Sequence, residues 1–374
     1  MVKYICLTSF FLSFFCLKCT SQTFNKSAIF KYVPNNGVYG GNHIGGVQSD
    51  FKPSYDMKIA YDFKVTSVKG LLEALRNAKA GQVVFVDGTI ELELSNAVPL
   101  NINAGVTLMS DRGRGGSHGA LLKATKAGVR PMIKIGGKNT KIIGLRIYGG
   151  DSNIYPNGKK IIRDKNKRNT YGRPVTEGIS SKYSNLEIGN CEISGWSHAG
   201  IFISDGASDI NIHHNYIHGN KRHGLGYGVA LKGASATIQA NLFENNRHDV
   251  AGTGEIGTSY YAHHNIVIGD KDDHLFDMHG GKDRKDNTNI AGTSINISNN
   301  YFYTRKGTRA IVIRGIPQRP AIISGNIILQ SAKEVESISL RVGVSSEQVL
   351  KGFIGQRNSF GNIEEKNNRI ISIH

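Results

Sequence analysis

Beyond residue 21 the chain contains a single cysteine, Cys191. That excludes an intrachain disulfide in the body and any zinc site built on cysteines. Stability must come from stacking rather than covalent staples. The setting of Cys191, in the strand-like text GNCEIS, fits a buried inert thiol. Long apolar runs are also missing after residue 21, which leaves no candidate for a spanning helix in the mature chain. Acidic charge is scarce: 29 Asp and Glu stand against 46 Lys and Arg, a formal net charge of +17. Proline is sparse at 8 and glycine plentiful at 45, which suits a turn-rich β architecture and neither a disordered nor a collagen-like chain.

The first residues, MVKYICLTSFFLSFFCLKC, hold a short apolar stretch after Lys3 and then small polar residues. They read as a secretory signal over 1–21 with cleavage after Ser21, in a secreted or periplasmic protein. Lipid anchoring at Cys19 is the alternative, although Lys18 is a poor residue before a lipidated cysteine. Loss of Lys3 and Lys18 with the signal lowers the net charge from +17 to +15. A basic exported chain implies an anionic partner. An acidic polysaccharide fits better than nucleic acid, and membrane insertion is not expected.

What is present is a repeat. Asn190, Asn215, Asn241, Asn265, Asn300 and Asn326 each stand between two short apolar alternations, at spacings of 25, 26, 24, 35 and 26 residues. Such a period marks one supersecondary unit repeated. Strand, Asn-marked turn, strand stacks most simply into an all-β, right-handed parallel β-helix solenoid, one coil per repeat. The asparagines are expected at tight corners in the left-handed conformation, with amides stacked as ladders.

One domain is expected over 22–374, as a monomer. In residues 67–81, Leu71, Leu72, Leu75 and Ala78 share a helical face and Gly81 is a stop signal. This helix is the expected N-terminal cap over an otherwise open apolar lumen. Regular coils are expected over about 82–330, with a closing segment at 331–374. Residues 151–172 interrupt them with a basic loop. The histidine pairs beside the Asn turns, His213 with His214 and His263 with His264, are expected at the surface.

Aligning the strands that follow the Asn turns by their closing glycines brings distant residues together. In GIFISDG, GVALKG, HDVAG, LFDMHG and AIVIRG the residues before the last glycine are Asp205, Lys232, Ala251, His279 and Arg314. Two positions earlier stand Ile203, Ala230, Asp249, Asp277 and Val312. Residues two apart share a strand face. Lys232, Asp249, Asp277, His279 and Arg314 should therefore meet on one outer surface, with coils about 4.8 Å apart. Tyr227, His248, Tyr260, His263, Arg284 and Arg319 are expected around them, and Arg222 in a neighbouring intercoil loop.

That cluster suits β-elimination in a uronic-acid polymer. The C5 carboxylate must be neutralised, a base must take the C5 proton, and an acid must protonate the leaving oxygen. Arg314 or Lys232 is expected on the carboxylate, His279 as base, and Tyr227 or Lys232 as acid. Arg222, His248, Asp249, Tyr260, Asp277, Arg284 and Arg319 are expected to contact substrate or orient the cations. No metal ligand set is expected; a calcium ion on Asp277 and Asp249 is the alternative means of neutralisation.

With AGVTLMSDRGRGGSHGALL (104–122) and IIGLRIYGG (142–150) as early coils, the chain resembles secreted polysaccharide lyases of the parallel β-helix type, over most of residues 80–330. These include pectate, alginate and glycosaminoglycan lyases. RGIPQR (314–319) departs in spacing from the pectate-lyase Arg-x-Pro-x-x-Arg stretch, so that family's catalytic arginine is not carried over. The alginate lyases that use Tyr with Lys or His without metal match Tyr227, Lys232 and His279 better. The resemblance implies a lyase with alginate favoured as substrate. A C5 epimerase of the same polymers and a non-catalytic polysaccharide-binding β-helix are the alternatives.

Overall fold

The computed structural model of the chain describes residues 27–46, 60–153, 174–222, 224–269, 274–304, 308–330, 338–341, 349–351 and 363–372. The expected signal and most of the basic loop lie outside them. Apart from the pair Val38–Tyr39 and Asn42–His43, the described strands form three long sheets of 11, 10 and 10 strands, and in each sheet successive neighbours come from successive coils. Pairing within the three sheets is parallel throughout, apart from Ile338–Arg341 with Val349–Lys351. The architecture is a right-handed parallel β-helix.

Alternation places every second side chain of a strand in the lumen. Ile201, Val229, Leu231, Val250, Phe276, Met278, Ile311 and Ile313 belong to one continuous core and are at most 1% exposed. The expected cap is the helix Val68–Asn77, started by Ser67, whose Oγ accepts from the Gly70 amide at 3.1 Å. It buries Leu71, Ala74 and Leu75 against the first coil. That coil begins before the helix, because Phe63–Val65 already pairs with Val83–Val86. Coiling also continues past residue 330: Ile363–Lys366 and Arg369–Ser372 add strands to the first and second sheets.

The asparagine ladder forms, one residue out of the expected place at its start. Asn215, Asn241, Asn265, Asn300, Asn326 and Asn368 are buried, and each Oδ1 accepts from the backbone amide one coil earlier at 2.8–3.0 Å. The left-handed residue is the one before each of them: His214, Ala240, His264, Asn299, Gly325 and Asn367. Asn190 itself occupies that left-handed position, so Cys191 is the rung in register with Asn215. The Asn190 amide instead donates to the Arg112 carbonyl at 2.7 Å, and buried Arg112 donates back to its Oδ1 at 3.1 Å. Cys191 is fully buried, and burial pushes its thiol up to about 11, in keeping with an inert role.

Residues 27–46 form a strap across the outer face of the second sheet. Ile29, Val33 and Ile44 pack on Leu242, Ile266, Tyr301 and Leu329, from four successive coils. The strap covers the histidine pairs expected at the surface: His213, His214 and His263 are buried. The His214 Nε2 meets the Tyr39 carbonyl at 2.9 Å, and the Tyr39 ring stacks on His264 at 4.1 Å.

Candidate active site

The third sheet carries the charged residues on its outer face. Its rungs Leu231, Gly252, Met278 and Ile313 pair in that order. The residues that follow them, Lys232, Thr253, His279 and Arg314, therefore form one file along the axis. Lys232, His279 and Arg314 do share a face, with Thr253 between the first two. Lys232 is exposed and has no ion pair among the described residues.

Asp277 is the centre of the site. It lies on the outer side of the strand His274–Met278, fully buried, in register with Ala251 and Val312. Arg314 Nε donates to its Oδ1 at 2.9 Å, and Nη2 donates to Oδ2. His279 Nε2 lies 3.1 Å and His248 Nε2 3.5 Å from Oδ2. Burial alone would raise the Asp277 pKa. The His279 contact and the neighbouring His248 and Arg314 outweigh it and hold the carboxyl well below the usual range. An ionised carboxylate only accepts, so a proton held on His279 Nε2 would point at Asp277 and leave the Nδ1 lone pair turned away from it. The His279 side chain is 23% exposed, so that lone pair is within reach of a ligand on the face.

Arg314 is engaged on a second side: Nη1 donates to Asp283 at 3.2 Å. Asp283 sits on the short helix Gly281–Arg284, part of the insertion that lengthens the Asn265 to Asn300 spacing. Its guanidinium charge is thus shared between two carboxylates, Asp277 and Asp283. Tyr227 lies on the same face, in register with His248, and their rings stack at 5.7 Å. Its Oη donates to the Gly224 carbonyl at 3.3 Å. Burial raises its pKa, so the phenol stays protonated. His248 also meets the His274 carbonyl through Nδ1 at 2.5 Å.

Several expected site residues lie elsewhere. Asp249 is in register with Gly228, opposite the inner corner, and is buried. It accepts from Asn246 at 2.8 Å and does not join Asp277. The glycine alignment slips here because Gly252 is not a turn residue. A Cβ on it would meet the Met278 sulfur at 2.5 Å, and the turn glycine is Gly254 at φ +78°. A smaller slip affects Asp205, since Ser204 pairs with Lys232. Tyr260 points into the lumen and cannot touch a ligand. Arg222 is buried within its turn, bridged to Leu225. Arg284 ties the insertion down through Asp286, Thr288 and the carbonyls of Thr253 and Ile290. Arg319 is exposed on the turn before the first sheet and makes no contact with the Asp277 cluster.

The donor atoms of His248, Asp277 and His279 lie within 4.8 Å of one another. Two imidazoles and a carboxylate suit a transition ion rather than calcium. Here the Arg314 guanidinium spans both Asp277 oxygens and would sit beside any bound cation, so the residues do not fit a metal. The Asp277 and Asp249 pair cannot hold calcium, because the two face different ways.

No curated protein matches the sequence. Among solved structures, the chain is similar to an alginate lyase from Paenibacillus sp. str. FPU-7, at 15% identity and a TM-score of 0.46, covering 82% of this chain and 94% of that one. It is similar to a family 28 exopolygalacturonase of Yersinia enterocolitica at 12% identity and a TM-score of 0.45, covering 83% and 64%. It is also similar to the A-module of a mannuronan C-5 epimerase of Azotobacter vinelandii at 13% identity and a TM-score of 0.40, covering 84% and 100%. One family model matches residues 63–270, more than half of the 374-residue chain, and the chain thereby belongs to the family described as Protein of unknown function (DUF1565).

Proposed function

We propose that the protein is an exported lyase that cleaves an acidic, uronic-acid-containing polysaccharide by β-elimination, with alginate the favoured substrate. The observation that carries this reading is the Asp277–His279 pair on the outer face, in one file with the free cation Lys232. His279 Nδ1 takes the C5 proton. Lys232 pairs with the C5 carboxylate and stabilises the enolate that forms. The C4–O bond then breaks, a C4–C5 double bond remains, and Tyr227 gives its phenolic proton to the leaving oxygen. Asp277 keeps His279 in the required tautomer, and Arg314 fixes Asp277.

A retaining or inverting hydrolase fits poorly. Such enzymes need two carboxyl groups about 5–9.5 Å apart. Asp249 is turned away from the face, and Asp283, the carboxyl nearest to Asp277, is engaged with it on the one Arg314 guanidinium. The other buried carboxylate there, Glu177, is four strands from Asp277, about 19 Å at 4.8 Å per strand.

The test is ultraviolet absorbance of the new double bond after incubation with alginate, pectate, hyaluronan and chondroitin. Absorbance with one polymer supports the lyase. Altered sugar composition at unchanged chain length would show a C5 epimerase, which shares the first step. Binding with neither change would show a non-catalytic module. His279→Ala should cut turnover at least about a hundredfold, the usual contribution of a positioned base. Near-normal rates in a folded variant would remove His279 from the mechanism.

A further inference from the structure

The same outer face carries a second buried carboxylate cluster that the proposed chemistry does not use. Glu177 accepts from Arg130 Nε at 2.6 Å, and His198 Nδ1 lies 2.6 Å from the same oxygen. Glu177 is buried, whereas the Arg130 side chain is 48% exposed. Only Nε of Arg130 is engaged with Glu177, so the outer edge of its guanidinium faces solvent. Exposed Lys134 follows four residues later, on the strand Ile133–Ile135, in register with Ser180.

The ground between this cluster and Asp277 is apolar. From Lys134 the outward rungs run Ser180, Phe202, Ala230, Ala251 and then Asp277. Ala230 and Ala251 are buried in a small apolar cluster with Ala199 and Tyr227, and half-buried Phe202 packs against it. Five steps of about 4.8 Å put Lys134 and Asp277 about 24 Å apart along the axis. Cations thus stand at one end of a low apolar floor and the His279 site at the other.

We infer that Arg130 and Lys134 form a distal subsite that binds a carboxylate of the same acidic polymer, several sugar units from the bond being broken. The inference rests on the proposed function for the identity of the polymer. An Arg fork with one edge fixed on a buried carboxylate is held for bidentate contact on the other. Glu177 and His198 are positioning residues for Arg130. The subsite makes binding depend on chain length, since a short oligomer cannot reach both ends.

The test is titration calorimetry of alginate and polygalacturonate oligomers, dimers through octamers, on the inactive His279→Ala protein. Affinity should rise stepwise once an oligomer spans the face. Arg130→Ala and Lys134→Ala, each added to that background, should remove the step by about tenfold in Kd, near 1.4 kcal/mol. Lys134→Ala disturbs no bond of Glu177, so it keeps the test valid if Arg130→Ala unfolds. A length profile unchanged by Lys134→Ala in a folded protein overturns the subsite and leaves the lyase reading intact. Absence of binding by any oligomer to any variant overturns both.

Discussion

At the scale of single residues, burial decides which charges act and which only fold. Asp277 is fully buried yet ionised, because Arg314 and two histidines surround it. Removing one partner of such a pair strands the other. Asp277→Ala should therefore cost about 3–5 kcal/mol of stability as well as activity, read by urea unfolding. Asp249 is the opposite case. Burial lifts its carboxyl to about 8, against the lowering effect of the Asn246 bond. Its folded pKa exceeds the unfolded value, so its contribution is full below about pH 4 and is lost as pH rises through about 8. Asp249→Asn should flatten that loss and raise stability at pH 9 relative to pH 6. An unchanged slope would mean that another group titrates. The sequence made both aspartates look alike, since each stands in a strand near a glycine. Only the packing of Gly252 on Met278 separates them, and no spacing rule encodes that contact.

At the scale of elements, the asparagine rung is the unit of cohesion. Asn241 accepts from the Asn215 amide and donates to the Ile212 carbonyl, all within the protein interior. Asn241→Ala would leave both groups buried without a partner, at about 1–3 kcal/mol each. Thermal unfolding should fall accordingly, and Asn368→Ala at the last rung should cost less, since fewer strands stack beyond it. The rungs were legible in the sequence because a stacked amide needs the same residue at every coil. The period and the capping helix follow from that requirement and from helical spacing. The slip at Asn190 was not legible. A corner residue in the left-handed conformation and the ladder residue after it are both satisfied by asparagine, so composition cannot tell them apart. Glu177, His198 and Asp283 were also missed, because each acquires meaning only from a partner in another coil.

At the scale of the whole molecule, the strap of residues 27–46 ties together rungs that otherwise touch only their neighbours. Its seat is neutral histidine. Burial pulls His214 and His263 down to about 4, each from 6.5. Between those values the unfolded chain binds more protons than the folded one, so stability falls as pH drops from about 6.5 toward 4. The midpoint of thermal unfolding should decline across that window, and His214→Gln should make the decline shallower. An identical profile in that variant would place the acid sensitivity elsewhere. A stack held only by adjacent contacts can peel from its free end one layer at a time, like a pile of coins tipped sideways. A lengthwise brace glued to four layers changes that failure. The C-terminal coils cannot come away singly until Ile29, Val33 and Ile44 slide off together, so pulling on that end should meet one high force rather than a series of small ones.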